Sequence, residues 1–125
     1  MPDPEVKILA EQAARKFGIG PHDFDDREIL ERCMYPLINI GATILEEGIA
    51  LRASDIDLVY LNGYGFPVWR GGPMHWAGVI GLDVVAEGVR QYSKKSDLCH
   101  WKLSRVLERL ADNGKTFEDY DKENQ

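Results

Sequence analysis

The sequence predicts an all-α fold, a single compact domain of about six helices spanning residues 1–125. Three observations carry that prediction. No stretch alternates polar and apolar residues with a period of two, and no pair of β-branched runs flanks a hairpin turn. Apolar residues instead recur three and four positions apart, between breakers such as Gly18, Gly48, Gly63, Gly81 and Gly114. At 125 residues the chain is long enough to bury roughly two-thirds of its unfolded surface, so its core needs no disulfide or metal staple.

The first predicted helix covers residues 3–17. Asp3 caps it, Pro4 takes the first position, and Val6, Leu9, Ala13 and Phe17 form its apolar stripe. A loop from Gly18 to Asp23 follows, with Phe24 as its anchor. The longest helix runs from Asp26 to Glu47, with Asp25 as its cap and Glu28 at the capping-box position. Its stripe (Ile29, Leu30, Cys33, Met34, Leu37, Ile38, Ala42, Ile44, Leu45) is wide enough to be covered on more than one side. Pro36 interrupts the hydrogen-bond ladder at the Arg32 carbonyl and predicts a kink. Gly41 leaves room for another backbone to approach.

The stretch Leu51–Met74 joins a short helix to a loop dense in glycine and aromatics. Ser54 and Asp57 have the spacing of a capping box, and Asp55 and Asp57 suit the first turn electrostatically. Gly63 is placed to end that helix in the left-handed region, and Gly71-Gly72-Pro73 to start the next. Residues 73–79 and 82–92 then read as helices, with Val84, Val85, Val89 and Tyr92 facing inward in the second. After a solvated turn at 93–97, a last helix is expected over 101–112, carrying Leu103, Val106, Leu107 and Leu110. Phe117 and Tyr120 clip the tail down, and residues 119–125 are expected to fray.

A net charge of −6 and a pI near 5.0 argue against a nucleic acid or anionic membrane held by bulk electrostatics. Two cysteines, Cys33 and Cys99, do not make a secreted disulfide scaffold, and a cytoplasmic location is the expectation. Residues 1–5 show no signal-peptide pattern, no apolar run has the length of a membrane span, and the last residues match no prenylation box or peroxisomal address.

Candidate chemistry is sparse. His22 lies in a polar loop, and His75 sits beside Trp76. Cys99 and His100 are adjacent in sequence, so their side chains diverge on a helix and make a poor nucleophile–base pair. Cys33, Cys99 and His100 lack zinc-ligand spacing. Asp55 and Asp57 are better explained as caps than as an acid–base pair. Glu46 and Glu47 end their helix against its dipole and call for a cation such as Arg52. Gly63, Gly65, Gly71 and Gly72 follow no strand and fit neither GxGxxG nor a GK[ST] loop, so they do not read as a phosphate cradle. Arg70 beside them can meet an external carboxylate or phosphate, or serve simply as a surface residue. The strongest local signal is the cluster Tyr64, Phe66, Trp69, Met74 and Trp76, residue types enriched at interfaces. Composition leaves internal core and interface evenly matched for it.

Several runs taken together resemble a known family. They are Glu31-Arg32, Pro36-Leu37-Ile38-Asn39, Ile44-Leu45-Glu46-Glu47-Gly48-Ile49-Ala50, Ser54-Asp55-Ile56-Asp57 and Gly63-Tyr64-Gly65-Phe66-Pro67. The chain resembles the C-terminal helical domain of 3-hydroxyacyl-CoA dehydrogenases over about residues 4–118. The run Trp69-Arg70-Gly71-Gly72-Pro73-Met74 is most similar to the second copy of that domain in multifunctional fatty-acid β-oxidation enzymes. The resemblance implies NAD-dependent oxidation of a 3-hydroxyacyl-CoA by the parent enzyme, with NAD and the catalytic groups on a Rossmann domain. For this chain it implies no catalytic, cofactor-binding or metal residues. It implies packing against the Rossmann domain and a first helical copy near the acyl-CoA site, and a homodimer when the chain is isolated. Interface or packing candidates are Asn39, Tyr64, Phe66, Pro67, Trp69, Arg70 and Met74. One departure is Ile40, where the family commonly has an acidic residue. The competing reading is a free-standing interaction or acyl-CoA-binding module, and a weaker one is a hydrolase using Cys99 and His100.

Overall fold

The computed structural model describes residues 3–20 and 22–125, and among these there are seven α-helices, two 3₁₀ turns and no strand. Helix α1 spans Pro4–Lys16, α2 Asp26–Glu46, α3 Ala53–Gly63, α4 Pro73–Ile80, α5 Leu82–Ser93, α6 Arg105–Asp112 and α7 Phe117–Glu123. Helix α2 runs through the middle, with α3, α4, α5 and α6 packed around it, and α7 closes against α3 and α4. Ile38, Ala42 and Leu45 of α2 meet Ile56, Met74, Ala77, Val85, Val89, Leu107, Leu110 and Phe117 in one core.

Local chemistry accounts for most helix starts. Asp3 accepts from the Glu5 N–H at 2.9 Å, and Asp25 accepts from the Glu28 N–H at 2.7 Å. Glu28 does not complete a capping box; its carboxylate pairs with His22 and Arg32, each at 2.9 Å. Those two partners hold its pKa below the usual carboxylate range. Helix α2 continues as one element across Pro36. At Gly41 the close neighbour is a side chain and not a backbone, since a Cβ there would lie 2.6 Å from Met74 Sδ. A Cβ at Gly88 would lie 2.2 Å from the Tyr35 ring, so α5 crosses α2 at that glycine.

The expected helix over 101–112 starts later. Asn39, fully buried on α2, donates through its amide to the carbonyls of His100 (3.0 Å) and Lys102 (2.7 Å). Its carbonyl accepts from the Ser104 N–H at 2.9 Å. Taking up those backbone groups holds residues 102–104 out of helix, after a 3₁₀ turn at Cys99–Trp101. Ser104 then caps α6 through its hydroxyl, which accepts from the Val106 N–H. Glu46 accepts from the Arg105 backbone N–H and guanidinium and from the Ser104 hydroxyl, so its partner is Arg105 and not Arg52. Arg52 pairs with Asp55 at 2.7 Å.

Other expectations are corrected at the surface. Val84 is 44% exposed, and the inner face of α5 is Leu82, Val85, Ala86, Val89 and Tyr92. The predicted stripe of α1 is real in sequence, yet no residue of α1 is buried. Phe24 is half exposed, edge-on to His22 at 4.6 Å and beneath Arg32 at 5.4 Å. The tail does not fray at 119. Thr116 and Asp119 form a reciprocal capping box for α7, and Asp121 accepts from the N–H groups of Ala53 (2.6 Å) and Ser54 (3.0 Å). A carboxylate 68 residues downstream of Ala53 therefore caps α3.

Replacing Asn39 by alanine removes the partners of three backbone groups, of which the Ser104 N–H is buried. Asn39→Ala is expected to lower stability by about 2–4 kcal/mol in urea unfolding, and a loss under about 1 kcal/mol would contradict this role.

Candidate functional site

The stretch from α3 to α4 is organised by one carboxylate. Asp57, buried on α3, accepts from the N–H groups of Met74 (2.7 Å) and His75 (3.0 Å). It caps α4 and not its own helix, so the expected Ser54–Asp57 box is absent. The reason lies in Gly71-Gly72. Gly72 stands at the N-cap with φ of 100°, and a Cβ there would fall 2.4 Å from Asp57 Oδ1. Glycine has no side-chain oxygen with which to cap, and its missing side chain makes room for an acceptor from elsewhere. Gly71 has φ of 74°, and a Cβ there would lie 2.5 Å from the His75 ring. Both glycines face their own chain.

Burial pushes the Asp57 carboxyl up to about 6, against the two backbone N–H groups that pull it down. His75 turns outward to Glu118 of α7 at 2.9 Å. Gly63 is the last residue of α3 and is not left-handed. The left-handed residue is Gly65, with φ of 66°, which lets the Phe66 N–H reach the Tyr60 carbonyl at 3.1 Å.

Between these fixed ends the candidate cluster divides. Met74 and Trp76 are core, and Asn39 is the buried clamp described above. Phe66 is half buried, edge-on to Tyr60 with ring centroids 6.3 Å apart. Tyr64, Pro67 and Trp69 are exposed, Trp69 at 78%. The half-buried Arg70 holds its guanidinium 4.3 Å over the Trp69 ring and 5.7 Å from the Trp76 ring, tying the exposed indole to the core. Leu58, Val59 and Val68 are also exposed on α3 and the loop.

The remaining candidates are not brought together. Cys33 and Cys99 are free and exposed, and His100 shares the 3₁₀ turn with Cys99 without a hydrogen bond to it. Among the described residues no three metal-ligating side chains converge. A dinucleotide does not fit here either. Among the described residues no strand feeds a glycine-rich turn, and Asp57 already occupies the α4 N-terminus where a phosphate would sit. The roles of Asp57 and Asp121 as remote caps escaped the sequence reading. The available signal was the Gly72-Pro73 helix start, which carries no capping oxygen of its own.

These features define an all-α domain with a long central helix, buried on one face from Tyr35 to Leu45, and an aromatic loop latched onto the domain's surface. The model of the 3-hydroxyacyl-CoA dehydrogenase C-terminal domain matches residues 29–122, and the chain belongs to that family. The peroxisomal bifunctional enzyme of Danio rerio is 42% identical over 114 residues, covering 90% of this chain and 16% of the relative. The human peroxisomal bifunctional enzyme is 40% identical with the same coverages. An Arabidopsis thaliana peroxisomal fatty acid beta-oxidation multifunctional protein is 34% identical over 117 residues, again 90% of this chain and 16% of the relative. The chain thus spans about a sixth of the length of these relatives.

The Asp57 latch has a defined pH signature. Its folded pKa of about 6 lies above the unfolded value of about 3.9, so the stability it contributes is fully present below pH ~4 and is lost as pH rises through 6. A carboxyl-carbon NMR titration of Asp57 is expected to show a midpoint near 6. Asp57→Asn leaves one of two N–H groups facing an amide, and a loss of about 1–3 kcal/mol is expected at pH 5, with the pH 4–6 slope flattened.

Proposed function

We propose that this chain is the helical domain of an NAD-dependent 3-hydroxyacyl-CoA dehydrogenase of fatty-acid β-oxidation, supplying an interdomain packing surface and support for the substrate cleft. The observation that supports this reading is the loop Tyr64–Arg70, where exposed tyrosine, tryptophan and a stacked arginine stand on a backbone fixed by Asp57. Those residue types dominate the binding energy of interfaces, and a fixed backbone lowers the entropy lost on docking. The chemistry, NAD and catalytic groups belong in this reading to a Rossmann domain of the parent chain, which meets this domain over the acyl-CoA. A first helical copy in the same parent is a second neighbour. Isolated, the chain pairs with another copy of itself. For the compartment, the relatives' printed names support the peroxisome over the cytoplasm suggested by composition.

In the whole parent enzyme, Trp69→Ser is expected to reduce kcat/KM for 3-hydroxyacyl-CoA by about tenfold while changing domain stability by no more than about 0.5 kcal/mol. Unchanged kinetics would remove the loop from the interface. The isolated chain is expected to show no turnover with 3-hydroxyacyl-CoA and NAD. Tight CoA-thioester binding by the isolated chain in calorimetry would instead favour a free-standing acyl-CoA-binding module.

A further inference from the structure

Between α2 and α5 stands a polar group that the fold does not use. Tyr35 is only 5% exposed, and its hydroxyl has no hydrogen-bond partner among the described residues. Its ring is pinned, since a Cβ at Gly88 would lie 2.2 Å from it. Every sealed side-chain polar atom among the described residues has a partner, so this hydroxyl is not sealed. It opens into a cleft of about 640 Å³ that Tyr35 lines. A cleft of that size suits a small ligand. Burial and the nearby Glu31 charge raise the Tyr35 pKa, so the group stays a neutral phenol that can donate or accept.

The surroundings set the sign of what can bind there. Helix α5 contributes Asp83 and Glu87, four residues apart and so on one face. Asp83 makes no ion pair among the described residues. Glu87 accepts from the neutral Gln91 amide at 2.7 Å, while Arg90 stands 3.8 Å off and turns to Glu108 at 3.0 Å. On the α2 wall the one lining arginine, Arg27, is already held by Glu31 at 2.8 Å. The two helices run antiparallel here, because Tyr35 meets Gly88 and the Tyr92 hydroxyl donates to Glu31 at 2.9 Å. Lys95 therefore falls at the far end of the cleft, beyond Tyr92, and Asp83 and Glu87 at the Tyr35 end. The open hydroxyl faces uncompensated negative charge.

We propose that the α2–α5 cleft binds the primary ammonium of an aliphatic amine, held by the Tyr35 hydroxyl, Asp83 and Glu87. An ammonium has three donors, and the Tyr35 end of the cleft offers these three acceptors. Its alkyl stem lies over Val84, which lines the cleft and is 44% exposed. A free aliphatic amine and the lysine side chain of another protein carry the same group. The cleft shares no residue with the loop Tyr64–Arg70, so this inference stands apart from the docking surface proposed above.

Amide NMR titrations of the full chain at low ionic strength test this, with n-pentylamine and with Nα-acetyl-lysine methylamide as probes and 1-pentanol as the neutral control. Either amine is expected to give a saturable shift at the Gly88 amide, with Kd of about 1 mM or below, and the alcohol none. Tighter binding of the lysine derivative would point to a protein's side chain, and tighter binding of pentylamine to a free amine. Tyr35→Phe and Glu87→Gln are each expected to weaken binding about tenfold. Tyr35→Phe keeps the ring that packs on Gly88 and removes a hydroxyl without a partner, so its melting temperature is expected to match the wild type. A net charge of −6 attracts any amine, and only saturation and dependence on Tyr35 identify the cleft. Shifts scattered over the acidic surface without saturation, or saturable binding untouched by Tyr35→Phe, would overturn the proposal. A lowered melting temperature in Tyr35→Phe would also overturn it, by showing the hydroxyl already in use within the fold.

Discussion

The Asp57 carboxylate at the first turn of α4 is the interaction on which the rest of the site depends. It joins α3 to α4 across the loop Tyr64–Gly72 and sets the direction in which that loop leaves the core. Two further conditions make it work. Gly71 and Gly72 must lack side chains, since a Cβ at either would collide with His75 or with Asp57 itself. Pro73 must follow them, supplying a first helical residue that has no N–H to satisfy. A carboxylate in this position meets the positive end of a helix dipole, and the burial that raises its pKa also shields the two hydrogen bonds it accepts.

The same device recurs at the other ends of the bundle. Asp121 reaches from α7 to cap α3, Glu46 from α2 to meet Ser104 and Arg105 at the start of α6, and Asn39 clamps the segment before it. Each joins elements far apart in sequence through backbone groups that a helix end leaves free. Short helices of seven to thirteen residues around one long α2 have little intrinsic stability of their own, so these remote caps define where they begin and how they sit. The aromatic loop gains its definition from that frame: Arg70 stacks between exposed Trp69 and buried Trp76 because Asp57 has fixed the turn beneath them.

Much of the fold was legible in the sequence. The span of α2, the cap at Asp25, the break at Gly48 and the proline start of α4 follow from local rules that act within a few residues. The candidate cluster was legible only as a composition. Tyr64, Phe66, Trp69, Met74 and Trp76 read alike along the chain, and the division into exposed Trp69 and buried Met74 depends on which side of the latch each residue falls. The seventh helix was missed because its charged sequence resembles a free tail, while its anchors are Phe117 in the core and Asp121 on α3.

By itself the sequence determined the all-α class, the family membership and most helix bodies, because periodicity, caps and breakers act through neighbours three or four residues away. Only the tertiary structure decided which carboxylate caps which helix, which apolar stripe is covered, and which aromatics remain at the surface. A capping oxygen needs only to be within hydrogen-bond reach, and reach is set by packing. For that reason Ser54 and Asp57, three residues apart with the spacing of a local box, serve two different helix ends, one as donor to Asp121 and the other as acceptor from Met74 and His75.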